Sequence, residues 1–155
     1  MGKLYIECYN KRIGLKRLSA AVYDTLCQTD DIKVELGFVS AEEIKEYNRT
    51  TRGVDKVTDV LSYPSLDGIL GKVLKVKDYP HDLDDGKIFL GSIILCSEKI
   101  REQAKEIGHS QQQETQYLIV HGLMHLFGYD HMTDEDKKLM REKEKIALAK
   151  LGITQ

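Results

Sequence analysis

Three histidines, His121, His125 and His131, fall within the stretch His121-Gly122-Leu123-Met124-His125-Leu126-Phe127-Gly128-Tyr129-Asp130-His131. At about 100° per residue, the first two differ by roughly 40° around a helix and by about one turn along it, so both imidazoles can reach one ion. His131 would point away by roughly 240° if the helix continued, so the chain must break and fold back to bring it in. Gly128 is placed to end the helix in a left-handed conformation. Asp130 can tighten the turn that follows, or can orient a ligand through a hydrogen bond. Chance placement of five histidines in 155 residues rarely gives this spacing with a helix breaker at the required point.

Three imidazoles and no thiolate leave a divalent ion its full charge and, in tetrahedral geometry, one open position, which is a catalytic arrangement. Water in that position has its pKa brought from about 15.7 to about 7, and the ion polarises the bond under attack, so hydrolysis is the reaction class. Zn2+ suits three imidazoles, and nickel or other divalent transition metals fit the same donors. The spacing H-x-x-x-H-x-x-G-x-x-H matches the metzincin protease motif except where those enzymes carry a general-base Glu and this chain has Gly122. Without that carboxylate a peptidase loses its proton acceptor. Phosphodiester cleavage depends less on such a base, because its main demand is charge stabilisation on phosphoryl oxygens.

The elements that must carry these residues can be read from periodicity and punctuation. Lys3 to Tyr9 and Ile32 to Val39 alternate apolar and polar residues as half-buried strands do, with helical spacing from Leu15 to Cys27 between them. Ser40 and Glu43 form a capping box that opens a short helix to about Asn48. Val57 to Tyr63 and Lys87 to Leu95 are two further strands. Residues 64–86 between them hold both prolines and predict a long exposed loop. A helix from Ser97 to Ile107 stops at Gly108, Ser110 and Gln113 cap the histidine helix, and a last helix starts near Thr133. This order predicts an α+β fold, with a small mixed sheet, about five helices and the site on a C-terminal helix and its following turn. Parallel pairing is expected for the first strands.

Composition sets the frame. One domain over residues 1–155 can bury a core without disulfides or a metal staple. The cysteines, Cys8, Cys27 and Cys96, have no CxxC pairing and read as reduced thiols buried as small hydrophobes. No signal peptide is apparent, and the most apolar window, Tyr117 to Tyr129, is far short of a membrane span, so a cytoplasmic protein is expected. The net charge of −2 does not mark a nucleic-acid binder, so any RNA must be held by local positive charge. Lys11, Arg12, Lys16 and Arg17 form one such cluster.

The histidine stretch closely resembles the signature of the YbeY family, bacterial metal-dependent endoribonucleases of ribosomal RNA maturation. Asn48, Arg49 and Arg52 followed by Thr58-Asp59-Val60-Leu61-Ser62-Tyr63-Pro64 is similar to a second family block. Leu90-Gly91-Ser92-Ile93, then Gly108-His109-Ser110 and Glu114, is similar to a third. The resemblance covers most of the chain from residue 40 onward. Two positions depart from it: Val57 stands where the family usually has Pro, and Ser92 where it usually has Asp.

The resemblance implies a zincin-like domain with zinc on His121, His125 and His131, hydrolysing single-stranded RNA. It implies action on the 3′ end of small-subunit ribosomal RNA and in ribosome quality control, with the small subunit and its assembly factors as partners. The family arginine maps to Arg52, whose planar fork suits a phosphate. His121 is implied in proton transfer as well as ligation, ligation being primary because its lone pair is committed. Glu114 reads as a helix-capping acid, and His81 and His109 are not assigned to the metal. The rival readings are a metal-containing ribosome-assembly or RNA-binding factor without turnover, and a metzincin-like protease. Nothing in the sequence fixes an oligomeric state.

Overall fold

Strict alternation from Ile32 to Val39 puts Ile32, Val34, Leu36 and Phe38 on one buried face of a strand, and this strand is the centre of the sheet. The computed structural model describes residues 2–153. Along the chain run β1 (Leu4–Cys8), α1 (Lys16–Thr25), β2 (Ile32–Val39), α2 (Ala41–Arg52), β3 (Val60–Pro64), β4 (Leu83–Asp84), β5 (Lys87–Cys96), α3 (Ser97–Ile107), α4 (Gln111–Leu126) and α5 (Asp134–Lys150). The mixed α+β class is the one expected, and so is the order of elements apart from the two-residue β4, which lies in the 64–86 segment expected to be loop.

Sheet order is β1-β2-β5-β3, with β4 pairing the start of β5. β1, β2 and β5 are parallel, while β3 runs antiparallel to β5 along the edge. Parallel neighbours bring the carboxyl ends of β1, β2 and β5 to one end of the sheet, where α1, α2 and α3 begin. One irregularity matters for the site. Lys33 pairs with Phe89 but Val34 pairs with Gly91, so Leu90 is an extra residue in β5. This bulge lets Ile88 and Leu90 face the core before it, and Ile93 and Leu95 after it. Gly91 permits it: φ is 142°, and a Cβ there would lie 2.3 Å from the Tyr63 carbonyl oxygen.

Helices α1, α4 and α5 pack together, α4 lying also against β3 and β5, around one core in which Ile119, Val120, Leu123 and Met124 of α4 are fully buried. A smaller cluster of Ile44, Leu61 and Cys96 seats α2 on the opposite face of the sheet. Three expectations change in detail. α2 runs on to Arg52 rather than ending near Asn48, because the left-handed residue that stops it is Gly53 at φ 70°. Only Cys96 is buried; Cys8 is partly exposed and Cys27 is exposed, at a left-handed turn (φ 55°) just past α1. Residues 64–86 are mostly exposed but sink Leu66, Ile69 and Leu74 into the core and include a single 3-10 turn, Val76–Asp78. Gln28 helps hold this segment, its amide donating to the Lys72 carbonyl and accepting from the Leu74 N–H, both at 2.9 Å.

Candidate metal centre

α4 begins at Ser110, whose hydroxyl accepts from the Gln113 N–H at 3.0 Å, and runs through His121 and His125 to Leu126. Past it, the Gly128 N–H donates to the His125 carbonyl and the Tyr129 N–H to the Met124 carbonyl, both at 3.0 Å, closing the helix while Gly128 takes φ 100°. A Cβ on Gly128 would also lie 3.1 Å from the Leu70 backbone nitrogen, so glycine is required by contact as well as by conformation. Phe127 and Tyr129 are buried and anchor the turn in the core. From that anchor the chain doubles back and presents His131.

The structure brings His121, His125 and His131 together, with one ring nitrogen from each within 4.8 Å of the others. The rings of His121 and His125 meet edge to face with centroids 4.8 Å apart, and those of His125 and His131 at 5.0 Å. Among the described residues this is the one group of three or more metal-ligating side chains so clustered. His121 and His125 are half-buried and His131 is exposed, so the cluster opens to solvent on one side.

What orients the rings comes largely from elsewhere in the chain. The His121 Nδ1–H donates to Oε2 of Glu144 on α5 at 2.5 Å, and Glu144 is 5% exposed. The His125 Nδ1–H donates to the Tyr129 carbonyl at 3.0 Å. Carboxylate and carbonyl oxygens only accept, so both rings carry their proton on Nδ1 and turn a bare Nε2 toward the cluster. Burial, then the neighbouring His121 and His131, pushes the His125 imidazole below its usual pKa, which keeps its lone pair available. The donor set fits a divalent transition metal: three imidazoles, two with tautomers set by their hydrogen bonds, and an open side. Glu144 was not legible as part of the site. Its only sequence signal is an acidic residue on the expected last helix.

The remaining candidates fall as follows. Asp130 is exposed and its Oδ1 accepts from the His131 backbone N–H at 2.7 Å, which shapes the turn that delivers His131. Arg52 is the last residue of α2, exposed, with no ion pair or side-chain hydrogen bond among the described residues. Its neighbour Thr51 meets the Tyr63 hydroxyl at 3.0 Å, which moors this end of α2 to β3, the strand under α4. Glu114 lies in the first turn of α4, the helix N-terminus expected for it, and its side chain makes buried contacts as well. It is buried 3% exposed, and its carboxylate accepts from His109 Nε2 and Gln103 Nε2, both at 2.8 Å. His81 is exposed on the 64–86 segment, and neither His81 nor His109 joins the cluster.

Gly122 faces the sheet. A Cβ there would stand 3.0 Å from Ile93 Cδ1 and 3.2 Å from the Ser62 hydroxyl oxygen. The position at which a metzincin carries its general base is therefore a close helix-to-sheet contact in this fold, with no space prepared for a carboxylate. Ser92 lies at the bulge with its hydroxyl 3.5 Å from Glu35 Oε1, and the Tyr9 hydroxyl donates to the other oxygen of Glu35. A negative charge near this position thus comes from β2.

Comparison with known proteins supplies the family. The family profile described as Endoribonuclease YbeY matches residues 6–152. A curated protein of Clostridium beijerinckii named Endoribonuclease YbeY is 48% identical over 126 residues, covering 78% of this chain and 75% of that protein. One of the same name from Thermoanaerobacter sp. is 38% identical over 147 residues, covering 91% and 90%. The solution structure of TM1509 from Thermotoga maritima superposes with a TM-score of 0.57 at 24% identity, covering 96% of this chain and 91% of that one, which shows a shared fold.

Proposed function

Because the chain belongs to the YbeY endoribonuclease family, we propose that it is a zinc-dependent hydrolase that cleaves single-stranded RNA, acting on ribosomal RNA at the 3′ end of the small-subunit species. The observation that carries the chemistry is the convergence of three imidazoles whose tautomers are set by Glu144 and the Tyr129 carbonyl. A zinc ion held by His121, His125 and His131 would supply Lewis acidity and a water of lowered pKa.

Everything else falls to the protein. His121, His125 and His131 donate through nitrogens already turned inward, so little ordering is needed on binding. Glu144 balances charge at His121 and strengthens it as a donor. Arg52 offers a free guanidinium, whose planar fork can take two oxygens of the scissile phosphate and stabilise the charge that develops there. Packing at Gly122 leaves α4 without a general-base carboxylate, so the peptidase reading is not favoured. Ribosomal particles and their assembly factors in the cytoplasm are the proposed setting. Among the described residues no helix is long and apolar enough to cross a membrane.

The test is metal content by elemental analysis together with turnover of single-stranded ribosomal RNA, for the wild-type protein and His125→Ala. About one zinc per chain and cleavage that disappears in the variant are expected. Zinc-loaded protein that binds ribosomal particles but leaves such RNA intact would overturn intrinsic catalysis in favour of an assembly factor.

A further inference from the structure

The loop after β1 and the first turns of α3 and α4 enclose a cavity of about 240 Å³, away from the histidines, that the proposed reaction does not use. Its rim carries Lys11, Arg12 and Arg101, and its floor is formed by Ile13, Ile100 and Thr115. The three cations come from two segments far apart in sequence, the loop after β1 and the first turns of α3. None of them forms an ion pair among the described residues, whereas Lys33, Arg49, Lys87, Lys99 and Lys150 all do. Nearby acids are turned elsewhere: Glu98 accepts from the Ala41 N–H, and Glu114 is held by His109 and Gln103. Three unneutralised cations around one concavity leave a net positive field there, in a chain whose overall charge is negative.

The loop that brings two of these cations is fixed in place. Asn10 donates its amide to the Phe38 carbonyl at 2.6 Å and accepts from the Phe38 N–H at 3.1 Å, clamping the loop to the end of β2. The Lys11 ammonium lies 4.6 Å above the Phe38 ring. α3 starts at Ser97 with no side chain capping its first N–H groups, and Ser97 lines the cavity. In open sheets the crevice outside the carboxyl ends of parallel strands is where ligands sit.

We propose that this cavity is a phosphate-binding subsite that holds the sugar–phosphate backbone of the RNA substrate upstream or downstream of the cleaved bond. The inference rests on the nuclease reading for the identity of the strand. The geometry suits a strand that spans both places. Thr115 at the cavity and His121 at the metal centre are six residues apart on α4, about 9 Å along its axis. The two positions are also turned about 120° apart around the helix, so one continuous strand gripped by the cations at one end must pass diagonally over α4 to reach the metal centre with the other. The apolar floor accepts a ribose or base edge, and the cations above it accept phosphate oxygens. Sequence alone offered Lys11 and Arg12 with Lys16 and Arg17 as a basic run. The fold separates them by function, adding Arg101 to the first two across the cavity and leaving Lys16 and Arg17 outside it.

The experiment is equilibrium binding of the zinc-loaded protein to nuclease-resistant 2′-O-methyl single-stranded RNA of about 15 nucleotides. It reads affinity without turnover, so it reports on the cavity even if the nuclease reading fails. The Arg12→Gln/Arg101→Gln double variant is compared with wild type and with Lys3→Gln/Lys77→Gln, the same charge change at the opposite end of the sheet. Affinity is expected to fall about tenfold in the cavity variant, with the dependence on salt shallower by about 1.4 in log–log slope, two phosphate contacts at about 0.7 each. An unchanged slope, or an equal change in the control variant, would overturn the proposal. A second arm titrates inorganic phosphate alone and follows the backbone amides of Ser97 and Gln112. Shifts there without any effect of the variants on RNA affinity would mark a free-anion site and equally overturn the assignment to the RNA strand.

Discussion

The Nδ1–H of His121 and Oε2 of Glu144 meet at 2.5 Å although the two residues are 23 positions apart, on different helices. Glu144 is buried and has no other hydrogen-bond partner among the described residues, so the pair exists to hold this imidazole. Removing such an outer partner typically lowers metal affinity by about 10- to 100-fold. Glu144→Ala is expected to do so in a zinc competition titration, while Glu144→Gln, which keeps an acceptor oxygen but loses the charge, should show a smaller loss. Equal affinities for all three proteins would dissociate Glu144 from the metal centre.

The buried imidazole of His125 gives a pH dependence with a definite sign. Its folded pKa lies below the ordinary value of 6.5, chiefly through burial and then through the neighbouring His121 and His131. As the pH falls through 6.5 the unfolded chain takes up the proton first, so stability associated with neutral His125 is present above that value and is lost as pH falls toward the folded pKa. Urea denaturation in EDTA at about pH 7.5 and about pH 5.5 should show a decline that is shallower in His125→Gln. A variant with the wild-type slope would refute the link.

Gly122 is set by packing against β3 and β5. Ala at this place gains about 1 kcal/mol in helix propensity, but its Cβ presses on Ile93 and Ser62, and such overpacking costs about 1–3 kcal/mol. Gly122→Ala is therefore expected to be neutral to about 2 kcal/mol less stable. Gly122→Glu should be markedly worse and still fail to cleave casein. Casein cleavage by a stably folded Gly122→Glu protein would reopen the protease reading.

Arg52 is exposed and unpaired, so its replacement should spare the fold. Arg52→Ala is expected to lower RNA cleavage by about 10²- to 10³-fold, the scale of losing one donor aimed at developing charge, with zinc content unchanged. Arg52→Lys should recover only part, since an ammonium does not reproduce the planar fork. Full activity in Arg52→Ala would remove this residue from the reaction.

Sequence by itself determined whatever depends on spacing within one element. The three histidines and Gly128 follow from helical periodicity and one left-handed residue, the caps at Ser40 and Ser110 from side chains three residues from their partners, and the strands from alternation. Those interactions are local, so a linear pattern encodes them. Tertiary structure alone decided what joins separate elements. Glu144 reaches His121 only because α5 packs on α4. The bulge at Leu90 and Gly91 exists because β5 must match both β2 and β3. The apolar residues of the 64–86 segment are buried because the core has room beneath them. Arg101 joins Lys11 and Arg12 because parallel strands bring their carboxyl ends together. The absence of Glu at position 122 was readable, but its physical cause, contact with Ile93 and Ser62, belongs to a helix-to-sheet distance that no pattern of residue types records.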